Sequence, residues 1–435
     1  MKYVDRLGSE GEYLFGEVER LGKEWQREHP NVRLYSLGVG DVRGPMCEAV
    51  GKAMSDAILG MARIAPVEAD RVGDGAASYG SEGLVSATNR QGDCSLAGGE
   101  GMRQTTAQAG GGFRGYGPTE GYAFLREAIA GYYRGLGVRT LPDEVFVSHG
   151  AKEDLGEWLE MVDGPVVLGD PTYPMYGQAC RYFGRNVVRL GGSAEREYLP
   201  MAPVGAEKSL RGACVVLCSP LNPTGGVYRK RELTDWVEFV RRVGGVLLYD
   251  VAYQSYVQNG VRSVYEVEGA KECAVEIGSF SKSACFTGVR CGWSVVPKSV
   301  DGGGLWQAWK SRKAALGNGV GYAVQRGAEA ALGMDGLADT KERVRLCRRL
   351  AGELRSALER KGFAVVGGAN APYLWVRHED YRASWELFGK FLSLGVLVTP
   401  GVGFGEQGEG WVRLSVLAGE NEVEGALRRI EMGMQ

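Results

Sequence analysis

From Gly121 onward the apolar positions follow two alternating patterns. Short, mostly apolar runs at 145–147, 166–168, 187–190, 215–218, 246–249, 274–277 and 292–296 have the length of strands. Between them lie segments with apolar residues at helical spacing, such as 122–136, 152–162 and 231–243; in the first these are Phe124, Leu125, Ile129, Tyr132 and Leu136. Alternation of this kind predicts a mostly parallel sheet covered by helices on both faces. Beyond about Asp301 the pattern changes. A long helical stretch containing 343–361 leads into shorter strands at 363–366, 373–376, 396–399 and 411–415. An amphipathic helix from about Glu420 to Met432 follows. The fold class is therefore α/β, with a large domain expected over 46–300 and a smaller α+β domain built from 1–45 and 301–435.

Composition narrows the functional classes. The 435 residues are 44% hydrophobic and 24% charged, as in ordinary globular proteins. Basic and acidic residues nearly cancel, 51 − 53 = −2, so no global field points to nucleic acid or an anionic membrane. No apolar run is long enough to span a bilayer. The N-terminal Met1-Lys-Tyr-Val-Asp-Arg lacks the apolar core of a signal peptide, which makes the cytoplasm the expected compartment. Nine cysteines without a Cys-x-x-Cys pair read as reduced, partly buried thiols. Three histidines (His29, His149, His378), far apart, leave little material for a metal site, and none is expected. The 68 glycines are in excess and concentrate partly between Gly73 and Gly117, with few large apolar residues beside them. That stretch has too little apolar surface to offset the entropy of ordering it, so a flexible surface insertion is expected over about 61–114.

In an α/β sheet, ligands bind beyond the carboxyl ends of the strands. Three strands here end in Ser219-Pro-Leu-Asn-Pro-Thr-Gly225, Tyr249-Asp250-Val-Ala-Tyr253 and Ser279-Phe-Ser-Lys282, the last followed by Arg290. This set suits pyridoxal 5'-phosphate. Lys282 supplies an amine for the aldehyde, and Asp250 a carboxylate for the protonated pyridine nitrogen. Asn222 and Tyr253 are neutral donors for the phenolic oxygen. Ser279, Ser281 and Arg290 suit the phosphate, joined by backbone N–H groups where Gly150-Ala151-Lys152 turns from strand to helix.

Asn-Pro-Thr-Gly, Asp-x-x-Tyr and Ser-x-Ser-Lys with an arginine eight positions on resemble the class I aminotransferases of the aspartate aminotransferase (fold type I) superfamily. Further runs resemble the LL-diaminopimelate aminotransferase family within it: Tyr13-Leu-Phe, Gly38-Val-Gly-Asp41, Gly115-Tyr-Gly-Pro118, Asp170-Pro-Thr-Tyr-Pro-Met-Tyr176, Phe286-Thr-Gly-Val-Arg290, Asn370-Ala-Pro-Tyr-Leu-Trp375 and Pro400-Gly-Val-Gly-Phe-Gly405. The resemblance implies that Lys282 is the Schiff-base lysine and the base that moves the Cα proton. It implies that Tyr173 stacks on the cofactor ring (Tyr176 being the other tyrosine in that run), and that Ala151, Lys152, Ser279, Ser281 and Arg290 hold the phosphate. Arg413 would clamp the substrate α-carboxylate, and Tyr13, Gly40, Lys152 and Asn318 would line the substrate end. Tyr116 and Asn318 would come from the second subunit of a homodimer. The implied reaction makes LL-diaminopimelate and 2-oxoglutarate from tetrahydrodipicolinate, glutamate and water, a step of lysine biosynthesis.

The chain departs from the family where the distal end of the substrate would lie. Thr119 stands where the family has an acidic residue, with Glu120 next to it, and Leu316-Gly-Asn-Gly-Val stands where the family has an aromatic before Asn318. Another amino acid as substrate therefore stays open, as do a lyase or synthase of the same superfamily and a regulator on the same fold. Pro400-Gly-Val-Gly-Phe-Gly405 lacks the setting and lysine of a phosphate loop and reads as a tight turn.

Overall fold

A computed structural model of the chain describes residues 14–62 and 115–434. Tyr13 and nearly all of the expected insertion at 61–114 lie outside the described residues. The described chain opens with α1 (Leu14–Glu28), β1 (Tyr35–Ser36) and α2 (Glu48–Ala62). From Gly115 it continues through α3 (Ala123–Gly135), β2 (Val145–Ser148), α4 (Ala151–Met161), β3 (Val166–Asp170), α5 (Pro174–Phe183), β4 (Val187–Gly191) and β5 (Cys214–Cys218). Next come α6 (Lys230–Val243), β6 (Val246–Asp250), β7 (Ala274–Ser279), the short α7 (Phe280–Ser283) and β8 (Gly292–Val295). The rest comprises α8 (Gly304–Leu316), α9 (Tyr322–Ala331), α10 (Met334–Arg360), β9 (Ala364–Gly367), β10 (Tyr373–Arg377), α11 (Ser384–Ser393), β11 (Val396–Leu397), β12 (Thr399–Pro400), β13 (Trp411–Ser415) and α12 (Glu420–Gly433).

Seven strands form the main sheet in the order β2-β8-β7-β6-β5-β3-β4. The pairs from β7 to β4 are parallel, and β8 runs antiparallel to both of its neighbours. Every residue of β3, β5, β6 and β7 is buried, because helices cover both faces. Strands in that position read as continuous apolar runs. On α6, Leu233, Trp236, Val237, Val240 and Val243 turn one stripe to the core, and Gly244 ends the helix at a φ of 63°.

The smaller unit holds a four-stranded sheet, β12-β13-β10-β9, whose paired strands are all antiparallel. Val18 and Leu37 pack with Leu374, Leu387, Val398 and Ile430, which joins the first described residues to this unit. One expectation needs correction. The run 396–399 is not one strand: Val396 and Leu397 pair with β1, whereas Thr399 and Pro400 pair with β13. Beyond the expected division at residue 300, two helices still pack with the large unit. Trp309 on α8 joins the core beneath the large sheet, and Val320, Ala328 and Ala331 pack against Val145, Val147 and Val295. The apolar faces of α8 and α9 match the large unit, a choice that local periodicity does not express.

Candidate active site

The parallel strands bring their carboxyl ends to one edge of the sheet: β6 ends on Asp250, β7 on Ser279, and β5 runs into the turn that carries Asn222. Because β8 is reversed, its beginning lies at that same edge, with Gly292 paired to Ser279 and to Ser148. Arg290, two residues earlier, is thereby delivered beside the serines. A cavity of about 540 Å³ opens there. Gly40, Ala151, Lys152, Tyr173, Asn222, Asp250, Tyr253, Ser279, Ser281, Lys282, Arg290 and Arg413, all expected from the sequence, line it together.

Lys282 stands on the single turn of α7 and donates to the carbonyl of Gly40. Burial, helped by the charges of Arg413 and Arg290 and opposed by Asp41, pushes its amine down to about 8. Asp250 is 5% exposed. Its Oδ2 accepts a 2.6 Å hydrogen bond from Tyr176 and its Oδ1 a 2.9 Å bond from the amide of Ala252. Burial still holds its carboxyl above the usual range, against the pull of these two donors. Tyr253 and Tyr373 share a 2.5 Å hydrogen bond between their hydroxyls.

Arg413 is 1% exposed. Its Nη1 donates to Asn222 Oδ1 at 2.8 Å and its Nη2 to the Gly38 carbonyl at 2.7 Å. The guanidinium lies 4.4 Å from the ring centre of Tyr373 and 4.9 Å from that of Phe404. Its Nε is buried without a hydrogen-bond partner. The Pro400–Gly405 run thus forms a short turn, not a phosphate loop, and contributes Phe404 beneath the arginine.

At the far end, Ser279 Oγ accepts from the Ser281 amide at 3.1 Å and donates to Ser281 Oγ at 3.0 Å. Arg290 Nη1 donates to Ser281 Oγ at 3.1 Å and to the Thr287 carbonyl at 3.2 Å. The opening turn of α4 faces this cluster, and such turns present N–H groups that lack a carbonyl one turn back. Gly150 makes the approach possible. It has a φ of 127°, and a Cβ there would lie 2.6 Å from Arg290 Nη2.

These groups fit pyridoxal phosphate. The Lys282 amine meets a carbonyl and not a carboxylate; Asp250 receives only neutral donors among the described residues; and two hydroxyls, an arginine and a helix start converge at the other end. Among the other expected residues, Tyr116 is 84% exposed and Asn318 is also exposed, and neither lines the cavity of its own chain. Glu120 accepts a 3.3 Å hydrogen bond from Thr119 Oγ1 and lies 4.0 Å from the Lys310 amine. Sequence reasoning leaves Tyr373, Phe15 and Thr287 without a role, although each lines the cavity. For Tyr176 the sequence offers only stacking, as the alternative to Tyr173; its place as the donor to Asp250 carries no local signal beyond the Tyr-Pro-Met-Tyr spacing.

Residues 86–430 match the model of the family described as aminotransferase class I and II. The chain belongs to this family. Class I aminotransferases are in general dependent on pyridoxal phosphate. This aminotransferase is 35% identical to an LL-diaminopimelate aminotransferase of Prochlorococcus marinus, across 96% of each chain. Its structure resembles the L,L-diaminopimelate aminotransferase from Chlamydomonas reinhardtii with a TM-score of 0.82 and 29% identity, covering 100% of this chain and 99% of that one. A Thermus thermophilus aspartate aminotransferase mutant shares the fold, with a TM-score of 0.78, 21% identity and 99% of both chains covered. The fold is that of the fold type I aminotransferases.

Proposed function

We propose that this aminotransferase holds pyridoxal phosphate on Lys282 and transfers an amino group between LL-2,6-diaminopimelate and 2-oxoglutarate. The observation that carries the catalytic reading is the meeting, in one cavity, of a buried amine, a buried carboxylate and a buried arginine drawn from β6, α7 and β13. The substrate reading is supported by the 35% identity to a diaminopimelate aminotransferase across nearly the whole chain.

When bound, pyridoxal phosphate supplies an aldehyde that accepts the amino group and a ring that draws electrons from the substrate Cα. Asp250 would hold the proton on the pyridine nitrogen, and Tyr176 steadies that carboxylate. Asn222 and Tyr253 would serve the phenolic oxygen, Tyr173 the ring, and Ser279, Ser281, Arg290 and the first turn of α4 would hold the phosphate. Arg413 binds the substrate α-carboxylate with the N–H groups it keeps beyond Asn222 and Gly38. That grip directs the Cα–H toward Lys282 Nζ. With its amine lowered to about 8, Lys282 gives up its proton more readily than an exposed lysine, and it would take the Cα proton and return it later in the transfer. The two half-reactions make the kinetics ping-pong.

The exposure of Tyr116 and Asn318 on their own chain supports a homodimer in which each reaches the other protomer's cavity. No helix among the described residues is long and apolar enough to cross a membrane. Thr119 favours a second reading, a class I aminotransferase for another amino acid. Half-reaction spectra decide between the two. Under the first reading LL-diaminopimelate bleaches the cofactor absorbance at least as efficiently as glutamate does. Under the second it leaves the spectrum unchanged while another amino acid bleaches it.

A further inference from the structure

Three residues into α4, one turn behind the cluster of Ser279, Ser281 and Arg290, lies a carboxylate that the mechanism above does not use. Asp154 is 0% exposed. Its amide closes the first turn of α4 onto the Gly150 carbonyl at 3.3 Å. Its Oδ2 accepts a 2.8 Å hydrogen bond from Ser294 on β8, and its Oδ1 lies 2.9 Å from the Lys313 amine at the end of α8. Lys313 is itself 11% exposed, reaches Glu157 Oε2 at 2.8 Å, and sits 4.6 Å over the ring of Trp309, which stacks on Trp158 of α4. Glu157 is also approached by Arg312 at 4.0 Å, though the short contact of that arginine is with Glu160.

Two consequences follow from this placement. The bond to Ser294 ties the α4 side of the cluster to the strand that begins two residues after Arg290, so the two sides cannot drift apart. The charge is the more informative part. Asp154 and Glu157 set two carboxylates behind a helix start that has to receive a phosphate dianion. Their field opposes that anion unless a cation balances it, and inside the protein the opposition is poorly screened. Lys313 is the group that balances it.

We propose that Lys313 is a positioning residue for the phosphate end of the cofactor: by neutralising Asp154 within the first turn of α4, it keeps that turn receptive to a phosphate dianion. The inference rests on the assignment of pyridoxal phosphate above. It adds a determinant of phosphate affinity outside the groups that touch the phosphate. Removing the cation alone leaves Asp154 buried and unpaired, the costly half of a broken buried pair, whereas removing both charges restores neutrality.

The test compares two probes, pyridoxal phosphate and pyridoxal, which lacks the phosphate, titrated into cofactor-free protein and followed by the absorbance of the bound form. Lys313→Met is expected to weaken pyridoxal phosphate about tenfold or more while pyridoxal changes less than twofold. Lys313→Met/Asp154→Asn, which leaves no unpaired charge at position 154 and leaves Glu157 to Arg312, is expected to recover most of the lost affinity, and Lys313→Arg to stay near wild type. The double variant keeps the test decisive should the single variant fail to fold, because a large loss of phosphate preference in it contradicts the proposal. Equal weakening of both probes by Lys313→Met, or no weakening of either, overturns it. A wild-type protein that takes up neither probe overturns the cofactor assignment itself, and the proposal with it.

Discussion

The Tyr176 hydroxyl donates a 2.6 Å hydrogen bond to Oδ2 of Asp250, with the tyrosine fully buried and the carboxylate nearly so. Desolvation disfavours the charged carboxylate here, and the phenol works in the opposite direction. Asp250 therefore owes part of its charge to a residue from α5 that does not carry chemistry itself. Tyr176→Phe keeps the ring packing and removes only the donor. A hydrogen bond to a charged group contributes about 1.5–3 kcal/mol, so turnover is expected to fall on the order of tenfold. Since the Asp250 carboxyl rises further without its donor, the acid limb of the pH profile moves to higher pH. An unchanged acid limb would separate Tyr176 from the charge of Asp250.

Lys282 gives a pH dependence that can be read without substrate. In the cofactor-free protein its amine is pushed from 10.5 to about 8. Only the neutral amine adds to an aldehyde, so the rate of pyridoxal phosphate uptake is expected to rise with pH and level off above about 8. Arg413 is the largest charge contributing to that depression. Arg413→Gln is therefore expected to move the midpoint upward. The linkage has a matching sign: between about 8 and 10.5 the unfolded chain holds the proton that the folded one has released, so this lysine makes stability rise with pH across that window.

Arg413 is also the residue proposed to bind the substrate carboxylate. Its guanidinium holds Asn222 and Gly38 with two nitrogens and leaves Nε without a partner. Arg413→Lys replaces a planar fork by a point charge that cannot keep both fixed bonds and still meet a carboxylate in two places. KM is expected to rise on the order of 10- to 100-fold for every amino acid and keto acid alike. A loss confined to one substrate would place the α-carboxylate elsewhere.

Under the diaminopimelate reading, specificity is proposed to turn on Glu120. Its carboxylate stays near Thr119 Oγ1 and the Lys310 amine within its own chain, and Thr119 carries no charge for a distal ammonium. An ammonium buried without an acceptor costs about 1–3 kcal/mol or more. If Glu120 supplies that acceptor, Glu120→Gln depresses kcat/KM for LL-diaminopimelate about tenfold or more and leaves glutamate within twofold. Equal losses on both substrates would remove Glu120 from the distal site.

The strands, and the candidate residues that line one cavity, were legible because both kinds of signal are local. Val246–Asp250 is an apolar run ending in a polar residue, and it is buried along its whole length. Ser279, Ser281 and Lys282 sit within four residues, at the end of one strand. Long-range choices left no such trace. Nothing in the run 396–399 shows that its halves pair with different sheets, and nothing in α8 shows that Trp309 stacks on Trp158 and not on the smaller unit. The same holds for Tyr176 and Asp250, 74 positions apart, and for Asp154 and Lys313, 159 apart. Tyr116 and Asn318 are exposed on their own chain, and the shared site proposed for them is a relation that one chain does not express.

The most direct test of the account is the point of attachment of the cofactor. Purified protein loaded with pyridoxal phosphate is reduced with borohydride, digested, and the modified peptide mapped by mass spectrometry. The expected result is a bleached absorbance with the adduct on Lys282, and no adduct in Lys282→Ala. A stable adduct on any other lysine, or a Lys282→Ala protein that is labelled as fully as the wild type, would contradict it.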